Sequence, residues 1–378
     1  MSLTLQSDLS TKICTKVLIL TAGYGEGHNA AARALASASE ELSPGSSAVV
    51  DLFSIASPKF NDVARKLYIQ MINKTPHLWS AAYSWMDTSK LLPKIIKSMK
   101  REHRLLLEII TKEKPDVICS TYPVYAFLIE NLRNEGKLNI AHYNIVTDSI
   151  SINSLWWKAG AHGWFVPNQD SADFMIEKGV ERSKIHNSGF PVNPFFSLNK
   201  DILKRSSLTQ GSAPRVLYII NSGTRYAEET ASALLAQNDW EITCAVGRDE
   251  SLKAKLTAKA QGRLRPASVL GWTNTIPELL MTHHVVVSKA GGATTQEAIA
   301  ACCPMIVNQI VPGQEEGNYE LLRRRNIGSL SQTPEEVISS LRNAFSNSGN
   351  VWESWHNSLM TLTQPKAAYT IINHLMKS

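Results

Sequence analysis

The chain has 378 residues, 43% hydrophobic and 19% charged, with 39 Lys and Arg against 33 Asp and Glu for a formal net charge of +6. That length and balance exclude a disordered or fibrous protein and give room for two hydrophobic cores. The modest positive excess favours acidic partners such as anionic lipid, nucleotides or nucleic acid without choosing among them.

The five cysteines, Cys14, Cys119, Cys244, Cys302 and Cys303, are odd in number and show no C-x-x-C spacing. They read as buried thiols of a reducing compartment, with neither a disulfide framework nor a zinc site. Residues Met1 to Thr15 are polar and lack the apolar segment of a signal peptide. No apolar run approaches the ~20 residues that span a bilayer. The expected location is therefore cytoplasmic.

In chain order, Val17 to Thr21 is a buried-strand run that feeds Ala22-Gly23-Tyr24-Gly25-Glu26-Gly27-His28 and then an alanine-rich helix from Asn29 to Leu42. A strand from Ala48 to Phe53 completes a βαβ unit. Three alternating glycines before a helix invite a dinucleotide-binding reading, but the third glycine comes one residue early for that fingerprint. His28 stands where a glycine loop enters a helix, so its ring should face the cleft above the sheet with a lowered pKa. A neutral imidazole there can take a proton from a hydroxyl. The plainer alternative is a loop histidine that caps the helix.

From Lys59 to Arg104 the pattern is helical and irregular. Trp79, Tyr83, Trp85 and Met86 precede Lys90, Lys94, Lys97, Lys100, Arg101 and Arg104, opposed only by Glu102. Leu91, Leu92, Ile95, Ile96 and Met99 form the complementary apolar set. Aromatic residues beside a basic amphipathic stretch suit an anionic membrane surface; a solvated helix with its apolar face in the core is the competing view. Strands follow at Asp116 to Thr121 and at Tyr143 to Asp148, with a helix from Val124 to Asn134 between them. Asp148 ends its strand, where functional groups of open α/β sheets collect. It either assists His28 or caps the next segment. Gly163 to Pro167 and Lys184 to Phe190 close the first sheet.

Leu198 to Ala213 is polar and marks a linker between domains spanning 13–197 and 214–378. Val216 to Thr224, Ile242 to Arg248, Ser268 to Trp272 and His284 to Ser288 continue the strand–helix alternation, which implies a parallel sheet in each half. The last helix, Ala367 to Met376, is placed to pack back across the linker. The densest signal is Val285 to Val287 followed by Ser288-Lys289-Ala290-Gly291-Gly292-Ala293-Thr294-Thr295-Gln296-Glu297. A strand here delivers paired glycines to a helix N-terminus, where unpaired N–H groups favour an anion. Glu297, one turn in, can reach back to a ribose. Met305 to Asn308 ends in a second polar loop, Val311 to Asn318, on the same sheet edge. Together the two loops favour a nucleotide-sugar site over two ordinary turns.

These residues resemble a known family. Gly23 to Leu35 is similar to the N-terminal motif of monogalactosyldiacylglycerol synthases and processive diacylglycerol glucosyltransferases. Lys114-Pro115-Asp116-Val117-Ile118 and Val146-Thr147-Asp148 match that group's first-domain strands. Lys289-Ala290-Gly291-Gly292 with Thr294 and Glu297, then Pro312-Gly313-Gln314-Glu315 with Asn318, match its donor signature. The resemblance runs from about residue 16 to residue 330. It implies an α/β GT-B fold, with two Rossmann-like domains whose parallel sheets face each other across a cleft. It also implies a UDP-sugar in the C-terminal half and a membrane lipid acceptor, diacylglycerol, in the N-terminal half.

In that picture His28 is the catalytic base, with Asp148 beside it. Gly291, Gly292, Ala293 and Thr294 hold the pyrophosphate, and Glu297 grips the ribose. Gln314 and Glu315 meet the sugar hydroxyls, Trp272 and Thr273 the uracil edge, and Asn318 supports the phosphate side. The candidate donor set also includes Gly27, Ser222, Gly223 and Arg248, and the candidate membrane set is Trp79, Trp85, Lys94, Lys97, Lys100 and Arg101. The sequence departs from the family after Asp148, where a histidine usually precedes the tryptophan and here Ser149 to Trp156 has none. The Asn221 to Arg225 loop is also less glycine-rich than usual.

The expected activity is inverting hexosyl transfer from UDP-galactose or UDP-glucose to diacylglycerol, on the inner face of the membrane. No D-x-D pair is present to chelate a metal on the pyrophosphate, so no metal or other cofactor is expected, and no nucleic acid partner. Three alternatives stand beside this reading: an N-acetylglucosaminyl transferase acting on another lipid-linked acceptor, a non-catalytic nucleotide-sugar-binding protein, and an epimerase acting on the nucleotide-sugar itself.

Overall fold

The computed structural model describes residues 15–56, 85, 87–89, 91–208, 211–221, 223–313 and 315–378. Trp79, Ser222 and Gln314, named above as site candidates, lie outside the described residues, as do Cys14, Tyr83, Met86 and Lys90.

The apolar runs form two six-stranded sheets. The first contains Val17–Thr21 (β1), Ser47–Asp51 (β2), Val117–Ser120 (β3), Ala141–Ile145 (β4), Gly163–Val166 (β5) and Ile185–Asn187 (β6), in the order β2-β1-β3-β4-β5-β6. The second contains Arg215–Ile219 (β7), Glu241–Ala245 (β8), Ala267–Leu270 (β9), Val285–Lys289 (β10), Met305–Gln309 (β11) and Gly328–Leu330 (β12), in the order β12-β11-β10-β7-β8-β9. Every pairing is parallel, so within each sheet all C-terminal strand ends share one edge. Strand order reverses between β1 and β3 in one sheet and between β7 and β10 in the other. Such switch points open the crevices in which α/β sheets bind ligands.

Burial explains the layering. On β1, Val17 and Ile19 point to a layer made by helix Glu26–Leu42 and the final helix Ala367–Leu375. Leu18 and Leu20 point the other way, to Ile96, Leu106, Tyr125 and Leu128. Both faces are covered, as the unbroken apolar runs require. The small side chains of Ala31, Ala32, Ala34 and Ala38 are buried and let the first helix lie close to its neighbours. The final helix packs against that first helix, and Thr15 Oγ1 donates to Met376 O at 3.0 Å.

Three features differ from the sequence reading. The first helix begins at Glu26, not Asn29, which places His28 in its opening turn. The strand expected to end at Asp148 stops at Ile145, so Thr147 and Asp148 lie on the loop beyond it. The sequence reading has no β12. Its first residue, Gly328, lies so close to β11 that a Cβ would overlap Met305 O, so a glycine that looks like a turn signal serves strand pairing instead.

Candidate functional site

The two switch points face each other. Gly25 precedes the first helix with φ +118°, a conformation open to glycine and costly for other residues. This sharp entry turns His28 inward, where only 9% of its surface stays exposed. Its Nδ1 lies 2.6 Å from Thr121 O, at the end of β3, and 2.9 Å from Thr147 Oγ1. A carbonyl can only accept, so Nδ1 carries the proton and the lone pair is left on Nε2. Burial lowers the His28 pKa to about 4, against a smaller upward pull from the Thr121 carbonyl. The ring is therefore neutral at physiological pH. His28 is not a cap, because the N-cap is Gly25 and makes no side-chain bond.

Asp148 does not orient the imidazole. Its Oδ2 accepts from Trp156 Nε1 at 2.9 Å and from Asn153 N at 3.5 Å. Burial pushes its pKa up to about 6, the two hydrogen bonds opposing. Asp51, the acid that ends β2, is occupied by its own chain: it accepts from Gly23 N at 3.1 Å, Ser54 N at 3.0 Å and Ser54 Oγ at 2.7 Å. That removes the carboxylate a dinucleotide ribose would need.

From the second sheet, β10 leads through Gly291 to helix Gly292–Ala300, whose N-cap has no side-chain bond. Thr295 N is the first amide bonded back to Gly291 O, so the N–H groups of Gly292, Ala293 and Thr294 have no intrahelical acceptor. A Cβ on Gly27 would lie 3.9 Å from Ala293 N. Two helix N-termini thus converge on one pocket, where their dipoles favour an anion. Lys289 lines the same pocket, its Nζ 2.7 Å from Glu315 Oε1, and Glu315 Oε2 accepts from Val311 N at 3.0 Å. Asn318 Nδ2 donates to Ala290 O at 2.9 Å and braces the turn into the helix.

The pocket encloses about 150 Å³ and is lined by His28, Thr147 and Asp148 from one half and by Gly291 to Thr294, Lys289 and Glu315 from the other. That is small beside the ~300–1,000 Å³ of ordinary ligand sites. Next to the pocket the two halves touch directly. Gln296 Nε2 donates to Ser149 Oγ at 3.0 Å, and Arg325 pairs with Asp170. Gly317 presses on the Ser149–Ser151 backbone so closely that a Cβ would overlap Ser149 O and stand 2.8 Å from Ser151 N. Ile150, between them, is held at φ +59°, an outlier for a β-branched residue. Two roomier hollows, about 830 and 650 Å³, lie along the C-terminal helices and the linker and contain none of the candidate site residues.

Of the remaining candidates, Glu297 faces Glu26 and Arg33 of the first helix. Burial pushes its pKa up to about 7, with Arg33 opposing and Glu26 adding to the rise. Gly223, Arg248, Trp272 and Thr273 do not line the pocket. They follow β7, β8 and β9 on the same sheet edge, and Trp272 is 68% exposed. Trp85, Lys94, Lys97, Lys100 and Arg101 are exposed on the first half. Sequence reasoning gave no role to Thr121, Thr147, Asn221 or Lys289. Lys289 and Thr147 each stand inside a quoted motif and Asn221 opens a quoted loop, whereas the Thr121 carbonyl leaves no mark in a sequence.

The family model for monogalactosyldiacylglycerol (MGDG) synthase matches residues 28–192. Processive diacylglycerol beta-glucosyltransferases of Bacillus thuringiensis (strain Al Hakam) and Bacillus cereus (strain AH187) are each 26% identical over 335 residues, 86% of this chain and 84% of theirs. The chain is similar to these glycosyltransferases over most of its length. Its fold is GT-B. Similar solved structures include MurG of Acinetobacter baumannii (14% identical, TM-score 0.60, 96% of this chain and 100% of that one). They also include MnaA of S. aureus with UDP (11% identical, TM-score 0.62, 95% of each chain). A UDP-GlcNAc 2-epimerase of Neisseria meningitidis bound to UDP-GlcNAc has the same architecture (13% identical, TM-score 0.59, 96% of this chain and 100% of that one). The GT-B fold alone therefore does not separate transfer from epimerisation.

Proposed function

We propose that this protein is an inverting glycosyltransferase that moves a hexose from a UDP-sugar to the free hydroxyl of diacylglycerol. The observation that carries the reading is a neutral imidazole, its proton fixed on the Thr121 carbonyl, sharing one pocket with the unpaired amides of Gly292 to Thr294. In the reaction, the acceptor oxygen attacks the anomeric carbon from the face opposite the diphosphate. The new C–O bond forms as the bond to the β-phosphate oxygen breaks, the hydroxyl proton passes to Nε2 of His28, and UDP leaves with the electron pair. Negative charge gained by the leaving diphosphate is met by the helix tip and by Lys289. The same charge favours the imidazolium that forms across the pocket. The donor lies along the second sheet edge, with the sugar near Glu315, the ribose near Glu297, and the base near Trp272 and Thr273. No metal is needed in this scheme.

Membrane contact is assigned to the first half, where Trp85, Leu91 and Ile95 are 50%, 57% and 49% exposed beside Lys94, Lys97 and Lys100. The helix Leu92–Lys97 divides its apolar residues, with Ile96 buried in the core and Ile95 left outside, as a surface-seeking helix would. The working location is peripheral, on the cytoplasmic face of a membrane. Among the described residues no helix is long and apolar enough to cross one.

The test uses purified protein with UDP-glucose or UDP-galactose and vesicles with or without diacylglycerol, the products read by mass spectrometry. UDP release and a glycosylated lipid only when diacylglycerol is present support transfer. An altered nucleotide-sugar without acceptor supports epimerisation, and binding with no product supports a sensor.

A further inference from the structure

The strand ends beside the base deliver a row of aromatic side chains. Tyr24 follows β1, Phe53 follows β2, Tyr122 follows β3 and Trp156 follows β4. Since the strand order is β2-β1-β3-β4, these four positions lie side by side along the cleft edge. Tyr24 and Tyr122 stack at 5.9 Å between ring centroids, and Phe53 meets both edge-on at 6.4 and 6.0 Å. Tyr122 also presents its ring to His28 at 5.1 Å. Tyr125, beneath them, is fully buried, and its hydroxyl is spent on Thr21 O at 2.6 Å and Leu52 N at 3.1 Å. Tyr24, Phe53 and Tyr122 are not sealed in this way, because each keeps part of its surface open.

A second observation gives the row a direction. Asp87 Oδ1 accepts from Ser154 N at 2.6 Å, and Asp87 O accepts from Ser154 Oγ at 2.5 Å and Lys158 Nζ at 2.6 Å. These bonds tie the segment bearing exposed Trp85 to the turn Ser154–Trp156, and Trp156 stands 6.3 Å from the His28 ring. The exposed apolar and basic surface is thus tied to the base by way of buried Trp156, on the flank of His28 next to Tyr122.

We propose that Tyr24, Phe53 and Tyr122 form the acceptor subsite, a trough for the glycerol esters and first methylenes of a lipid alcohol. Seated there, the alcohol presents its hydroxyl to Nε2 while the remaining acyl chains run towards Trp85, Leu91 and Ile95. Aromatic faces suit this load because they bury apolar area and require no hydrogen-bond partner from the ester. The inference rests on the transferase reading and adds the residues that choose the acceptor.

The test measures steady-state transfer to dioleoylglycerol in vesicles for wild type, Tyr24→Leu, Tyr122→Leu and the corresponding Phe variants, with UDP affinity by calorimetry. Losing a ring face should raise the acceptor KM about tenfold in the Leu variants. The Phe variants should stay near wild type, with donor KM and UDP affinity unchanged throughout. An unchanged acceptor KM in folded Leu variants, or a shifted donor KM, overturns the subsite. Should the Leu variants not fold, the wild type decides: dihexanoylglycerol must be used at least about tenfold better than free glycerol, and equal use overturns the proposal. A wild type that glycosylates no lipid alcohol sinks the transferase reading itself, whereas an active wild type with indifferent variants sinks only the aromatic subsite.

Discussion

Replacing Glu297 with Gln should make the protein more stable at alkaline pH while weakening its grip on UDP. Glu297 sits on the donor helix against Glu26 and Arg33, and burial raises its pKa from 4.5 to about 7. A carboxyl with a raised folded pKa binds protons more tightly folded than unfolded. Below about pH 4.5 both states are protonated and the group has no effect on stability. As pH rises through 7 the unfolded chain ionises first, and stability is lost. The interval from 4.5 to about 7, at ~1.4 kcal/mol per pH unit, caps that loss at about 3.5 kcal/mol. Some remaining contact with cleft solvent brings the working figure to about 1–2 kcal/mol. Gln, which never ionises, escapes it. Urea unfolding of both proteins from pH 4.5 to 8 should show no difference at the acid end, a growing advantage for the variant, and a plateau above 7. A difference that does not vary with pH would refute the reasoning. In parallel, calorimetry should show weaker UDP binding by the variant, and an unchanged affinity would remove the ribose role.

Two further outcomes follow from the domain contact and the exposed patch. Gly317→Ala places a Cβ on Ser149 O, so the halves should separate; small-angle scattering should show a larger radius of gyration, and an unchanged radius would mean the loop yields locally. Lys94, Lys97 and Lys100 changed together to Glu should abolish sedimentation with anionic vesicles while leaving UDP affinity intact, each lysine contributing about 1 kcal/mol at the surface. Retained vesicle binding would place the membrane contact elsewhere.

How far the sequence foretells this arrangement depends on where each feature is encoded. Unbroken apolar runs such as Val17 to Thr21 and Val285 to Val287 locate the buried parallel strands, because burial on both faces leaves no alternation to misread. The glycines before His28 mark the first loop, since the sharp entry at Gly25, φ +118°, favours that residue, and the strand that runs straight into a helix at Gly291 marks the second. The setting of His28 is another matter. Its orienting group is the carbonyl of Thr121, 93 positions away, which any residue would supply. Likewise the bond from Gln296 to Ser149 and the left-handed Ile150 are products of how the halves meet, and the pairing of Lys289 with Glu315 depends on two loops of one sheet edge coming together 26 positions apart. For Asp148 the sequence offered two roles, and the structure gives its carboxylate to Trp156 and Asn153.

The account turns on one imidazole. Wild type and His28→Ala should be compared for hexose transfer from UDP-glucose and UDP-galactose to diacylglycerol vesicles, with UDP affinity measured on the same preparations. A loss of about 10²–10⁴-fold in turnover, with UDP affinity retained, is the predicted result. Turnover close to wild type in the alanine variant would contradict it.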